Sequence, residues 1–364
     1  MTQRSITIVG AGQSGLQLGL GLLQNGYAVR MISDRTPEEI RAGRVASSQC
    51  MFATSLSYER AVGVDMWDDA PPVEGIGFTV PHPELPGEKA FSWAGKLNSP
   101  AQSIDQRVKF PTLIELFVSR GGEMVYAEAG IDDLERYTLE SDLVIVAAGK
   151  GEIARLFERD AERSTFDAPQ RALALTYVHG LKPTEDFSRV SFNLVPGIGE
   201  FFVFPALTLS GDCDIFVFEG APGGPLDRFV GLTPEQHLEA SLDFLRQYLP
   251  WEAERATDVS LTDDLGVLQG RFPPTVRKPV AVLPSGRTVL GLADVVVLND
   301  PITGQGSNNA SKSAQPYLEA ILDHGDLPFA RAFQQNAFER HRARITPVAG
   351  WTNALRRPPP PHAL

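Results

Sequence analysis

The chain of 364 residues carries 33 Lys and Arg against 45 Asp and Glu, a formal net charge of −12, with 43% of residues hydrophobic and 21% charged. That balance describes a globular chain with apolar material for roughly two domains of about 150 residues, and its negative field argues against nucleic acid or an anionic membrane as a main partner. Two cysteines, Cys50 and Cys213, with no Cys/His cluster, argue against a disulfide framework or a zinc site and favour the cytoplasm, and no apolar run reaches the roughly 18 residues of a membrane helix.

Residues 5–9, SITIV, predict a buried strand that runs directly into GAGQSG. Leu16, Leu20 and Leu23 then fall at helical spacing up to a stop at Gly26, and YAVRMIS is a second strand. Gly10, Gly12 and Gly15 therefore form G-x-G-x-x-G between a strand and a helix, the start of a parallel doubly wound sheet. Gly10 permits the tight turn, Gly12 lets the backbone approach a pyrophosphate, and Gly15 allows close helix–strand packing. These glycines account for the apolar stretch after Arg4 better than a signal peptide does. An acidic side chain at the end of the second strand would accept hydrogen bonds from the adenosine ribose. Here the strand ends in Ser33, Asp34 and Arg35, so Asp34 or Ser33 takes that place, and nothing selects NADP.

From Asp34 to about Pro100 the pattern is irregular, with loops at DDAPPVEG and PHPELPGE. Residues 110–120 predict an amphipathic helix closed by Gly121 and Gly122, and residues 141–149 an apolar strand ending in Gly149. From Gln170 to Glu219 the texture is β, in four aromatic-rich segments separated by Pro/Gly turns. A helix follows at 233–249, started by Thr233, Pro234 and Gln236 as a capping box. Residues 287–294 predict another buried strand, followed by a helix from Gly306 to about Asp323, a polar-faced last helix and an extended proline-rich tail. The expected architecture is α/β: a discontinuous Rossmann-like dinucleotide-binding domain over 1–44, 101–160 and 280–325, interrupted by a mostly antiparallel β-sheet substrate domain over 45–100 and 161–279, with a C-terminal helix and tail over 326–364.

The stretch GLADVVVLNDPITGQGSNNAS, 291–311, is a second glycine turn. A mononucleotide unit binds only the ADP half of a dinucleotide, whereas FAD also carries a ribityl chain and a flat ring that need ligands of their own. Asp294 can hold ribityl hydroxyls, and a helix start over Gly304, Gln305, Gly306, Ser307 and Asn308 can present N–H groups to the N1–C2=O edge of the ring. The two turns together predict FAD rather than NAD.

ITIVGAGQSG, VIVAAG, LGVLQGRF, SDRTPEE with Arg44 after it, AAGKGEIARLFERDAERSTFDAPQRAL and DPITGQGSNNAS together resemble the flavoprotein monooxygenases built like aromatic hydroxylases. Within that class the chain is similar to the epoxidase component of two-component styrene and indole monooxygenases, over most of residues 4–320. The resemblance implies that Gly10, Gly12, Gly15, Arg44, Asp294 and the Gly304–Asn308 turn contact FAD, with Pro301 close to the ring. Single-component hydroxylases carry Asp-Gly where this chain has Ala148-Gly149-Lys150; the styrene-type enzymes lack the acid too and receive reduced flavin from a separate NAD(P)H-dependent flavin reductase. That reductase is accordingly the expected partner. Where the styrene-type pattern has an asparagine near the active site this chain has Ser47, which argues against styrene itself as the substrate.

The implied activity is a monooxygenase in which reduced FAD and O₂ form a C4a-(hydro)peroxide and oxygen passes to a small hydrophobic aromatic substrate, by epoxidation or sulfoxidation. The protein must hold the substrate near that oxygen and exclude water. Phe192, Phe202, Phe204 and Pro205 are candidate pocket walls with Pro301, and they are equally the material of an ordinary sheet core; Ser47, Ser48 and Gln49 are candidate polar groups in the pocket or a plain loop. His179, His237 and His341 lack evident partners and are read as surface or helix residues, the four tryptophans as packing. No catalytic side chain or metal ligand is expected, and the chain is compatible with a homodimer. Other readings are an FAD-dependent oxidoreductase or halogenase of the same fold, although the W-x-W-x-I-P motif of tryptophan halogenases is absent, or a nucleotide-binding interaction protein.

Overall fold

β1 (Ser5–Val9), α1 (Gln13–Gln24) and β2 (Ala28–Ser33) form the expected strand–helix–strand unit, with the strands parallel and Val9 opposite Ile32. They belong to a computed structural model that describes residues 3–149, 151–301, 304–340 and 342; Lys150, His341, Trp351 and the proline-rich tail lie outside the described residues. The short α2 (Pro37–Arg41) starts at Thr36, whose hydroxyl accepts from Glu39 N while Glu39 accepts from Thr36 N.

The stretch that looked irregular is ordered. A strap over 45–52 leads into α3 (Ala53–Ala61), and a long hairpin follows from β3 (Pro72–Pro81) and β4 (Lys89–Gln102). β4 is a sheet edge exposed along most of its length, so no buried stripe marks it in the sequence. The predicted helix at 110–120 starts earlier, as α4 (Gln106–Ser119), because the Asp105 carboxylate accepts from Arg107 N and caps it.

β5 (Glu123–Tyr126), α5 (Ile131–Glu140), β6 (Leu143–Val146) and α6 (Glu152–Arg155) come next. β7 (Ala172–His179), β8 (Arg189–Val195), β9 (Gly199–Thr208) and β10 (Gly211–Gly220) match the four aromatic-rich segments. α7 (Pro234–Tyr248) opens with the predicted capping box of Thr233 and Gln236, and α8 (Pro250–Arg255) follows. The remaining strands are β11 (Ser260–Leu261), β12 (Val267–Gly270), β13 (Thr275–Val276), β14 (Val280–Val282), β15 (Thr288–Gly291) and β16 (Val297–Leu298). The chain then enters α9 (Gly306–His324) and a last helix over 331–340.

Two sheets result. The first has the order β14-β15-β6-β1-β2-β5, parallel except for β14 against β15, and Ile6, Ile8, Val144, Val146 and Leu290 bury almost completely within it. The second has the order β11-β7-β10-β9-β8-β3-β4 with β12 beside β7, and is antiparallel except where β3 runs parallel to β8. Strand alternation gives this sheet two faces. Phe201, Phe216 and Phe218 pack with Phe244, Leu245 and Leu249 around α7, whereas Phe202, Phe204, Tyr177 and Val217 pack with Val45 and Cys50 of the strap.

Candidate functional site

The first glycine turn sits where β1 and β6 end. Gly10 adopts φ 120, and a Cβ there would lie 2.7 Å from Ala147 C and 2.8 Å from Ala148 N. A Cβ on Gly15 would stand 2.1 Å from Gly10 O, so α1 packs directly on the turn. Gly12 differs, because its φ is −93 and a Cβ would meet nothing within 4 Å. Its missing side chain leaves open space, the space a pyrophosphate approaching the helix end requires. α1 has no side-chain cap and no acidic residue in its first turn, so its first N–H groups and positive dipole end have no partner within their own helix. At the end of β2, the buried Ser33 hydroxyl donates to Arg35 O at 2.7 Å, while the Asp34 side chain is 71% exposed. Of the two predicted ribose ligands, Asp34 is the one whose carboxylate faces outward.

β15 ends at Gly291, three residues short of the predicted end, and residues 293–295 form a 3₁₀ turn. Ala293 takes φ 55, the single non-glycine residue with positive φ among the described residues. That conformation costs about 1–2 kcal/mol and fixes the turn that carries the exposed Asp294. A Cβ on Gly149 would lie 3.2 Å from Asp294 Cβ, so the ends of β6 and β15 bring these two predicted ligands together.

The second glycine turn repeats the logic of the first. Gly304 has φ 59, and a Cβ on Gly304 or Gly306 would meet nothing within 4 Å. α9 also begins without a side-chain cap or an acidic residue in its first turn. Its Asn309 N–H bonds back to Gln305 O at 2.7 Å, so the N–H groups of Gly306, Ser307 and Asn308 form the free end. Gln17 Nε2 on α1 donates to Ser311 O on α9 at 3.1 Å, and farther along a Cβ on Gly21 would touch Leu318. The contacts advance in the same sense, so the helices lie parallel and both positive ends open at one end of the molecule. Pro301 is half-buried at the head of this turn, and Ile302 and Thr303 lie outside the described residues.

The Asn308 side chain points elsewhere. Its Nδ2 donates to Cys50 O at 2.7 Å and its Oδ1 accepts from Phe52 N at 2.9 Å, so it clamps the strap and only its backbone belongs to the free helix end. Tyr177 Oη donates to Ser47 O at 2.8 Å, Gln49 Nε2 donates to Tyr177 Oη at 3.3 Å, and Met51 pairs with Gln102 through both backbone bonds. Arg44 Nη1 donates to Val267 O at 2.9 Å and anchors the head of the strap, its residue otherwise exposed. Ser47 and Ser48 are half-buried. The strap is thus sewn between the aromatic sheet and the start of α9, and Tyr177, whose phenol burial holds well above its usual pKa, stays a neutral donor.

Beneath the strap the phenyl rings of Phe78, Phe192 and Phe202 stack with centroids 5.5 Å apart, and Phe204 continues the row at 6.4 Å. Phe192, Phe202 and Phe204 are therefore brought together as expected. Pro205 follows Phe204 on the strand and so belongs to the opposite, α7 side. His237 is a helix residue, as read, but it is fully buried: it contacts Thr176 Oγ1 through Nδ1 at 3.0 Å, lies 4.6 Å from the Phe229 ring, and burial pushes its pKa down to about 4. Both cysteines are free and buried, their thiols pushed up by desolvation, Cys50 to about 12.

The structure thus sets two uncapped helix starts and a glycine-lined space beside a strap that packs on an apolar, ring-lined face. Three features escaped the sequence reading: the Asn308 clamp, the Tyr177 anchor, and Gln13, which donates to buried Glu59 at 2.6 Å while Lys109 pairs with the same carboxylate. Only the last left a sequence signal, a glutamine inside the glycine motif where no polar group is needed.

Residues 149–255 match a family model described as "styrene monooxygenase A putative substrate binding domain". The styrene monooxygenase StyA of Pseudomonas fluorescens is 32% identical over 362 residues, covering 97% of this chain and 85% of its own length. Among solved structures, the myxobacterial chondrochloren halogenase CndH superposes with a TM-score of 0.70 at 13% identity, over 98% of this chain and 82% of that one. 2-methyl-3-hydroxypyridine-5-carboxylic acid oxygenase does so with 0.66 at 14% identity, over 96% and 89%. The structures speak for the fold alone, a Rossmann-like FAD-binding architecture. Identity at that level over nearly the whole chain goes further: the chain belongs to the styrene monooxygenase family and is a flavoprotein monooxygenase with FAD as its cofactor.

Proposed function

We propose that the protein is the oxygenase component of a two-component system: it takes reduced FAD from a separate NAD(P)H-dependent flavin reductase and uses O₂ to epoxidise or sulfoxidise a small hydrophobic aromatic compound. The carrying observation is the row of stacked phenyl rings packed against a strap that is itself tied to the α9 glycine turn. In this reading residues 1–44, 101–160 and 280–325 hold FAD, and 45–100 and 161–279 hold the substrate. Gly12 and the α1 end take the pyrophosphate, Asp34 the adenosine ribose, Asp294 beside Gly149 the ribityl chain, and the free N–H groups of 306–308 the polar edge of the ring. Reduced flavin supplies the activated oxygen when bound. The chain's own task is to fix the substrate against Pro301, keep water out with Phe192, Phe202 and Phe204, and hold Ser47 to Gln49 in place through Tyr177. Ala148-Gly149 in place of an acid at the end of β6 supports an external reductant.

The test supplies chemically reduced FAD and O₂ with a panel of styrenes, indole and aryl sulfides. Oxygenated product without any pyridine nucleotide is expected, and the chain alone should leave NADH unconsumed. Stoichiometric H₂O₂ with no oxygenated product across the panel would refute the monooxygenase assignment for these substrates. Rapid NADH oxidation by the chain alone would refute the two-component one.

A further inference from the structure

One polar cluster stands on the phenylalanine face and takes no part in the cofactor site or the strap. Glu200 on β9 and Glu219 on β10 are directly opposed across the strands, next to the Phe202–Val217 pair. Alternation places Glu200 on the face of Phe202 and Phe204, and Glu219 on that of Val217 and Ile215, so the two carboxylates close the ring-lined row at one end. They are 7% and 1% exposed. The charged groups facing them are Arg171 just before β7, whose Nη2 lies 3.4 Å from Glu200 Oε1, and Asp300, the residue before Pro301. Glu200 Oε2 and Glu219 Oε2 are buried and accept no hydrogen bond among the described residues. Burial raises the Glu219 carboxyl well above the carboxylate range, with Glu200 and Asp300 adding to the rise and Arg171 opposing it, and burial raises Glu200 as well. Two directly opposed, buried carboxyls disfavour the doubly ionised state, so the pair can offer an O–H donor as well as unengaged acceptor oxygens. Among the described residues no three His, Cys, Asp or Glu side chains are grouped to hold a metal ion, so the free oxygens await a hydrogen-bonding group instead.

We propose that Glu200 and Glu219 form a hydrogen-bonding subsite at the end of the phenylalanine face, and that the preferred substrate is a small aromatic compound bearing an N–H or O–H substituent. This rests on the aromatic-monooxygenase reading of the same pocket and narrows it. Phe192, Phe202 and Phe204 contact the ring, and the substituent reaches the carboxyl pair while the reacting bond stays toward Pro301.

The test compares ligands of one shape that differ in a single polar group. Because an amino group also activates a ring, binding is measured apart from turnover: 3- and 4-ethylaniline are titrated against 3- and 4-ethyltoluene on the FAD-loaded chain, read by perturbation of the flavin absorbance. For at least one isomer the aniline should bind about tenfold more tightly, as one hydrogen bond to a buried charged or acidic group predicts. Glu219→Leu should bring that ratio to within about twofold, while Glu219→Gln keeps several-fold of it. Equal binding of both isomer pairs to the wild-type chain overturns the subsite without any variant, and so does a preference that survives both Glu219→Leu and Glu200→Leu. Turnover of 3-vinylaniline, 3-methylstyrene and styrene with reduced FAD is followed in parallel. Absence of any oxygenated product would count against the monooxygenase reading while the binding ratio still reports on the carboxyl pair.

Discussion

Gly12 and Gly15 are three residues apart in one motif, yet their glycines answer to different demands. A Cβ on Gly15 collides with Gly10 O at 2.1 Å, whereas one on Gly12 enters empty space. Gly15→Ala should therefore cost several kcal/mol of folding stability or abolish soluble protein. Gly12→Ala should leave the melting temperature of the cofactor-free chain within a degree or two but weaken FAD by tenfold or more, as measured by FAD titration. An unchanged FAD affinity in Gly12→Ala would show that the pyrophosphate lies elsewhere. His237 shows the same contrast between what a residue is and what surrounds it. Its stripe partners Ser241, Phe244 and Leu245 follow at helical spacing and are buried, a signal that was present in the sequence and overlooked because the residue is polar. With its pKa lowered from 6.5 to about 4 by burial, the unfolded chain takes up the proton first, so stability is lost as pH falls through that window. Between pH 7 and 4.5 this amounts to about 2 kcal/mol. Urea unfolding of the wild type should show that loss in excess of the one shown by His237→Gln, and parallel losses in the two proteins would contradict it.

Elements built on local signals were legible, and those built on distant side chains were not. The capping box of α7 and the glycine start of α1 are written in neighbouring residues and fold as read. The strap over 45–52 has no pattern of its own, because its shape is set by Asn308, Tyr177 and Gln102. α5 was missed because its acidic surface hides the stripe of Leu134 and Tyr137. β15 was read three residues too long because Leu292 and Ala293 remain apolar and buried beyond the strand's end. Since Asn308 satisfies one buried carbonyl and one amide of the strap, Asn308→Ala leaves both without a partner. It should cost about 2–4 kcal/mol and raise amide hydrogen exchange over residues 45–53 before global unfolding. Unchanged protection there would remove the clamp from the account.

At the scale of the molecule, the two glycine turns pointed to an FAD-binding α/β fold, and the four aromatic-rich segments between 170 and 219 to its second, mostly antiparallel sheet. The division of labour between the two faces of that sheet did not show. Phe201 and Phe202 look alike in sequence, and only the packing of α7 on one side and the strap on the other separates the two faces. Hence Pro205 falls in with Phe204 in the sequence although alternation sets it on the α7 side, and nothing in the sequence pairs Glu200 with Glu219.

The parallel packing of α1 against α9 joins residues 294 positions apart, Gln17 to Ser311. During synthesis the first glycine turn is complete within the opening strand–helix–strand unit, but its companion helix end is made only with Gly306, after the strands of both sheets. β15, which pairs with β6, also arrives late, so the growing chain carries an unpaired parallel edge at β6 until β15 is made. The order of birth therefore brings the two helix ends together late, and the long aromatic sheet forms while its neighbour still lacks β14 and β15.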